Sequence, residues 1–263
     1  MLVSRGSRAA PAMSLSVDLN ADLGEGAGHD DELLALVSSA NIACGLHAGN
    51  VATMQRAMRA AAARGVAVGA HPGFDDRENF GRREMAVGDE EVFALVVYQL
   101  GAFRAVAHSL GARVEHVKPH GALYNMAARD EAIADAIARA VRAVDANLMI
   151  YAPAASALSR AAEANELTVV REVFADRNYL ADGSLVPRDR PDALLHDPVE
   201  AANRVFGMLR DGKVRAIDGT EVTVHVDTIC VHGDTPDAVV FAMELRVCLA
   251  QTGVTIARPR PLA

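Results

Sequence analysis

A chain of 263 residues is long enough for one large α/β domain, and 34 acidic against 26 basic side chains leave it with a net charge of −8. That balance, with no basic run, argues against a nucleic-acid partner and against an anionic membrane surface. Cys44, Cys230 and Cys248 are too widely spaced for a disulfide framework or a zinc knuckle, which fits a reducing cytoplasm. Hydrophobic residues make up 51% of the chain but aromatic ones only 4%, so the core is one of Ala, Val and Leu, as where helices cover a parallel sheet. No uncharged apolar run reaches the roughly 20 residues that a bilayer requires.

Residues 1–13 carry Arg5 and Arg8 without an apolar stretch and read as a disordered extension, with Met13 a candidate start; residues 14–263 read as a single domain. Leu15 to Asp22 alternates apolar and polar, then breaks at Gly24, Gly26 and Gly28, which predicts a strand entering a glycine-rich loop. Asp30 and Asp31 are placed to cap a helix from Glu32 to Val37. A second strand, Ala40 to Gly45, leads through His47 to a helix over Val51–Arg64, and a third, Val66 to Ala70, ends in His71-Pro72-Gly73. After a long charged loop, Phe74 to Met85, a helix spans Asp89–Leu110. The fourth strand, Val114 to Lys118, ends in Lys118-Pro119-His120-Gly121.

A helix over Asp130–Val144, a strand over Leu148–Ala152 and a helix over Ala154–Ala164 follow. The sixth strand, Thr168 to Phe174, opens into an irregular stretch that ends at a helix over Pro198–Asp211, capped by Asp197. Asp218-Gly219 marks a hairpin between Lys213–Ile217 and Thr220–His225. A last strand, Thr228 to Val231, precedes His232-Gly233-Asp234, a helix from Asp237 to Gln251 and a short apolar tail. Seven strand–helix units in regular alternation predict a parallel sheet with right-handed crossovers, and at this length a closed (β/α) barrel of about seven strands.

Barrel active sites form at the carboxyl ends of the strands. Polar residues fall there repeatedly: Asp18, Asn20 and Asp22; His47; His71; Lys118 and His120; Glu172 and Asp176; His232 and Asp234. We take Asp18, Asn20, Asp22, His47, His71, Lys118, His120, Glu172, Asp176 and His232 as catalytic candidates. His116 and His225 lie within strands and rank lower. Lys118 also stands out in composition, since only two of the 26 basic residues are lysines. A compact, titratable ammonium in the mouth would keep a partner such as Asp18 or Glu172 ionised, by on the order of 4 kcal/mol at 4 Å and an effective dielectric of 20. Two chemistries stay open for such a cluster: a divalent metal that activates water, with Asp18, His47 and His71 as candidate ligands, or metal-free acid–base catalysis. His-Glu-x-x-His is absent, and the His-x-x-x-His of His116 to His120 is broken by Pro119 instead of lying on a helix, so spacing does not decide between them. Arg82, Arg83, Arg177 and Arg188 lie in loops over the same end, where one of them could grip a substrate carboxylate. Cys44 and Cys230 read as packed thiols.

Six motifs carry a resemblance. Asp18-Leu19-Asn20-Ala21-Asp22-Leu23-Gly24-Glu25, the run from Ser39 to Gly49, Gly69 to Gly73 with Asn79 to Arg83, His116 to Asn125, Glu172 to Arg177 with Leu185 to Arg188, and Cys230 to Asp234 closely resemble the LamB/YcsF family, in order from about residue 15 to 250. The resemblance implies a barrel related to the glycoside-hydrolase and deacetylase superfamily. It implies the A subunit of bacterial 5-oxoprolinase, with ATP-dependent opening of the 5-oxoproline (pyroglutamate) lactam to L-glutamate and with separate B and C subunits. Asn41, Arg82, Tyr124, Arg177 and Arg188 are then the candidate contacts to a small anionic substrate. No phosphate-binding loop of recognised type is visible, so ATP falls wholly or partly to the partners. Two other readings stay open: a metal-dependent amide or acetyl hydrolase working without ATP, and a substrate-binding subunit without chemistry of its own. A homo-oligomer is also left open. The chain departs from the family at Asn50-Val51, where Asp-Pro is usual, which puts a carboxylate role there in doubt; Asn50 remains a good helix cap.

Overall fold

The computed structural model describes residues 15–231 and 238–259. The expected N-terminal extension, His232 and Asp234 fall outside them. Seven parallel strands make the barrel: β1 (Ser16–Leu23), β2 (Ser39–Ala43), β3 (Ala67–His71), β4 (Val114–Val117), β5 (Met149–Pro153), β6 (Val169–Phe174) and β9 (Thr228–Val231). The sheet closes where β9 pairs with both β6 and β1, with Asp18 opposite Thr228 and Ala21 opposite Val231. The expected hairpin, β7 (Lys213–Arg215) and β8 (Glu221–Thr223), is antiparallel and stands outside the barrel. β10 (Thr255–Ile256) extends the sheet beside the start of β1; two residues are too few to leave a periodic signal, and the sequence showed only a tail.

Among the described residues eight α-helices cover the barrel: α1 (Asp30–Leu34), α2 (Val51–Ala63), α3 (Asp89–Ser109), α4 (Gly121–Arg129), α5 (Glu131–Val144), α6 (Ala157–Ala164), α7 (Pro198–Asp211) and α8 (Ala238–Gln251). On β1, Leu19, Ala21 and Leu23 meet the helices, while Asp18, Asn20 and Asp22 turn inwards, as the two-residue period of a strand requires. α3 is long and apolar enough to match a membrane span by length and composition, but Val92, Val96, Leu100 and Phe103 bury its inner face in the core.

Local chemistry sets the helix starts. Asn50 begins α2 with a capping box: its side chain accepts from the Thr53 N–H at 3.0 Å, and its own N–H donates to Thr53 Oγ1 at 2.8 Å. Asp197 caps α7 as expected, through Val199 and Glu200. The Asp30–Asp31 expectation needs correction. Both lie inside α1, and Asp30 instead accepts from the Gly24 N–H at 3.1 Å, tying the helix back to the glycine-rich loop. α4 was not expected as a separate helix; Asp130 ends it and caps α5 by accepting from Ala132 and Ile133.

Candidate active site

Side chains facing into the barrel are mostly polar, and they stack in levels. At the lowest, the Asp18 carboxylate accepts four hydroxyl hydrogen bonds: Ser38 at 2.6 Å and Ser39 at 2.7 Å on Oδ1, Thr228 at 2.5 Å and Tyr151 at 3.0 Å on Oδ2. Burial raises the Asp18 carboxyl above its ordinary value, and the hydroxyls work against that rise. Asp18 is thus enclosed in the body of the barrel. It reaches neither Lys118 nor the histidines through any of these bonds.

The next level is an amide network with a fixed direction. Asn20 donates to Glu172 Oε1 at 3.0 Å and to Thr228 at 2.8 Å, and its oxygen accepts from Asn41 at 2.7 Å. Asn41 also donates to Asp22 Oδ1 at 2.8 Å, and its own oxygen faces His116 Nε2 at 2.8 Å. His116 stacks on Tyr151 with ring centroids 4.1 Å apart, and burial pushes it down to about 3, so it stays neutral. Gly69 makes room for that ring: a Cβ there would come within 2.0 Å of His116 Nε2.

Lys118 sits above this network. Its Nζ lies 2.8 Å from Glu172 Oε1, 3.1 Å from Asp22 Oδ1, 3.3 Å from Asn20 Oδ1 and 3.1 Å from Cys230 Sγ. Burial disfavours its charge, but Asp22, Cys230 and Glu172 outweigh it and hold the amine well above its ordinary value. The ammonium is therefore a fixed charge, not the titratable group that its composition suggested. Its ion-pair partners are Glu172 and Asp22. Tyr124 donates to the other Glu172 oxygen at 2.7 Å.

Beside Lys118, loops close the mouth with three imidazoles and a carboxylate. His71 Nδ1 faces the Lys118 carbonyl at 2.7 Å, and His120 Nε2 faces the Phe80 carbonyl at 2.7 Å, so in both rings that nitrogen is the donor. The remaining nitrogens, His71 Nε2 and His120 Nδ1, then meet at 3.0 Å. Glu25 Oε1 lies 3.1 Å from His47 Nε2, 3.3 Å from His120 Nδ1 and 3.8 Å from His71 Nε2, and Asp22 Oδ2 lies 3.4 Å from His71 Nε2. His47 stacks on His120 with centroids 3.8 Å apart. The loop after β3 wedges this group from outside: at Gly81, with φ +62°, a Cβ would sit 2.7 Å from His47 Cβ.

Burial lowers His47 to about 3, assisted by the charge of His71, and lowers His120 well below its ordinary value with help from His71 and His47. Burial acts on His71 in the same sense, yet Asp22 and Glu25 carry that ring above its ordinary value. Two neutral imidazoles cannot hold lone pairs face to face at 3.0 Å; a cation belongs between them, either a proton on His71 or a metal ion. The donor set fits a divalent metal. Glu25, His47, His71 and His120 offer ligand atoms all within 4.8 Å of one another. Four ligands at about 2.0–2.2 Å in a tetrahedron lie roughly 3.3–3.6 Å apart, against 3.0, 3.1, 3.3 and 3.8 Å for the pairs given above and at most 4.8 Å for the rest. His71 and His120 also each give the second ring N–H to a backbone carbonyl, the usual support of a metal-bound imidazole.

Of the expected metal ligands, His47 and His71 are in this group and Asp18 is not. Glu25 and His120 complete it. Glu25 was not singled out in the sequence because its glycine-rich loop has no period to aim it; its signal was its place two residues past the strand carrying Asp22. His116, Tyr151 and Cys230 were missed because a polar residue inside a strand looks the same whether it faces a barrel lumen or a turn. Arg82 lies over the Phe80 ring at 4.9 Å, near the histidines. Arg177, Arg188 and Asp176 lie together across the mouth, in the loop after β6.

The LamB/YcsF sequence pattern matches residues 17–263. The chain belongs to the LamB/YcsF family. It is 53% identical over 250 residues to the A subunit of 5-oxoprolinase from Methylococcus capsulatus, covering 93% of this chain and 96% of that one. A crystal structure of a lactam utilization protein from Thermus thermophilus superposes with a TM-score of 0.86 at 49% identity, covering 92% of this chain and 99% of that one. A T48 deacetylase with substrate shares the fold alone, with a TM-score of 0.50 at 14% identity over 97% of this chain and 98% of that one. The family member here is a closed seven-stranded barrel, a fold it shares with that deacetylase.

Proposed function

We propose that the chain is the A subunit of a cytoplasmic 5-oxoprolinase and carries its lactam-opening centre, working with separate B and C subunits and with ATP. The relatives' names support the subunit role. The observation that carries the chemistry is the Glu25–His47–His71–His120 group set against the Lys118 ion-pair cluster at one mouth.

In the reaction, water adds to the lactam carbonyl carbon and the ring C–N bond breaks. The nitrogen gains a proton and becomes the amine of glutamate. An unstrained five-membered lactam resists this, which is why hydrolysis of ATP to ADP and phosphate is coupled to it. A divalent ion held by Glu25, His47, His71 and His120 would polarise the carbonyl and acidify a bound water. Asp22, ion-paired to Lys118 and 3.4 Å from His71 Nε2, is the carboxylate placed to take a proton from the attacking water and return it to the ring nitrogen. Lys118 keeps Asp22 and Glu172 ionised and supplies positive charge beside a developing oxyanion. The Asn20–Asn41–His116 chain fixes which edges of Asp22 and Glu172 remain for substrate.

Elemental analysis of the purified chain, followed by chelation of the reconstituted complex, tests this. About one equivalent of divalent metal is expected, with turnover of 5-oxoproline lost on chelation and restored by metal. A metal-free chain that supports full turnover would remove the metal and leave acid–base chemistry on the His71–His120 pair. The same His/Glu group also favours a second reading, an amide or acetyl hydrolase working without ATP. Chelator-sensitive amide hydrolysis by the isolated chain with no nucleotide present would select it.

A further inference from the structure

The structure treats the arginines described at and near the mouth differently. The Arg83 side chain is 66% exposed, with Nε 3.7 Å from Asp76. Arg82 is stacked on Phe80 on the histidine side. Arg204, further along at α7, has its guanidinium taken up by the Asn178 side chain and by the Ala175 and Arg177 carbonyls at 2.7 Å each. Arg204 also buries an Nε–H that has no partner among the described residues, but its two Nη groups meet three acceptors, whereas Arg177 is held by a single one. Only 6% of Arg177 is exposed, Nη2 donates to the Val186 carbonyl at 2.6 Å, and its buried Nε–H has no hydrogen-bond partner among the described residues.

An unmet donor on a buried guanidinium is expensive unless something else accepts from it. The neighbourhood adds to that expense. Burial, and next the like charge of Arg188, press Arg177 down to about 10, and Asp176 is the acidic side chain that offsets them. Cys230 is also close enough to act on Arg177, and Cys230 Sγ is 3.1 Å from Lys118 Nζ. The guanidinium thus stands at the β6–β9 wall, across the Lys118 cluster from the histidines at or beyond the ends of β2, β3 and β4.

We infer that Arg177, with Arg188 beside it, is the seat of the substrate's carboxylate, and that this pair makes the site selective for a lactam bearing an adjacent carboxyl group. The inference rests on the lactam-opening reading. A planar guanidinium with a free N–H edge matches a carboxylate in a way that an ammonium does not. A small cyclic amide held by its carboxylate at this wall presents its ring carbonyl towards Lys118 and the His/Glu group. Neither arginine touches the reacting bond, so the pair governs binding far more than turnover.

The test is steady-state kinetics of the reconstituted complex with Arg177→Lys and Arg188→Ala. Arg188 is half-exposed and its truncation leaves the buried Arg177 contacts in place, so that variant holds if Arg177→Lys fails to fold. KM for 5-oxoproline is expected to rise on the order of 10- to 100-fold in each, with kcat changed by less than about 3-fold. Inhibition by 2-pyrrolidinone, the same lactam without the carboxylate, is expected to be unchanged. An unshifted KM in folded variants of an active complex would overturn the seat while leaving the lactam reading intact. Absence of 5-oxoproline turnover by the wild-type complex would overturn that reading and this seat's ligand with it.

Discussion

Two carboxylates reach the inside of this barrel from the same strand and meet opposite surroundings. Asp18, low on β1, is saturated by four hydroxyls. Glu25, two residues past the end of β1, faces three imidazole nitrogens whose rings are already tied to carbonyls or crowded by glycine backbone. The first arrangement satisfies every party and has nothing left for a ligand. In the second, one carboxylate oxygen and three imidazole nitrogens converge on a point with lone pairs in excess of protons. A buried carboxylate is therefore structural or functional according to what its partners still lack, and burial alone does not tell the two apart.

The largest test of that contrast is at Glu25. Glu25→Gln keeps the shape but removes the charge that gathers three imidazoles. We expect metal content to fall below half and turnover of the reconstituted complex to drop on the order of 100-fold or more, with far-UV circular dichroism unchanged. Retained metal and near-wild-type turnover would show that Glu25 belongs with Asp18 on the structural side. His120→Ala is expected to behave like Glu25→Gln, since it removes one half of the 3.0 Å nitrogen pair.

Asp18→Ala should do the reverse. Removing the shared acceptor strands the hydroxyls of Ser39, Tyr151 and Thr228 in the barrel, for a loss of roughly 3 kcal/mol. For a domain of this size that corresponds to a fall in Tm of about 6–12 °C. Metal content is expected to stay at the wild-type level. An unchanged Tm accompanied by loss of metal would reverse the assignment of the two carboxylates.

The sequence reached the barrel because alternation of strand and helix is a long-range pattern repeated seven times, and local errors at Asp30 or Gly121 do not disturb it. It singled out His47, His71 and His120 because each stands within two residues of a glycine or proline after a strand. It could not separate Asp18 from Asp22. The two-residue period that turns both inwards gives no depth, and depth decides which one meets hydroxyls and which one meets Lys118. Nor could it set Lys118's partners: closure of the barrel brings Asp22 of β1 and Glu172 of β6 across the lumen to its ammonium, past the end of β4, and leaves Asp18 a level below.

The smallest expected effect lies at Asn50, where the family's usual Asp-Pro is replaced. Asn50 sits three residues after His47, and its capping partner Thr53 also reaches the Gly24 carbonyl at 3.4 Å, next to Glu25. A carboxylate here could serve either the helix or the ligand group, and the geometry favours the helix: Oδ1 is occupied by the Thr53 N–H at 3.0 Å. Asn and Asp are near-equal N-caps. Asn50→Asp should therefore change stability by less than about 0.5 kcal/mol and leave metal content and turnover as they are, whereas Asn50→Ala should cost about 1 kcal/mol through the lost cap. A gain of 10-fold or more in turnover on restoring the carboxylate would place position 50 with Glu25, extending the functional side of the comparison to the start of α2.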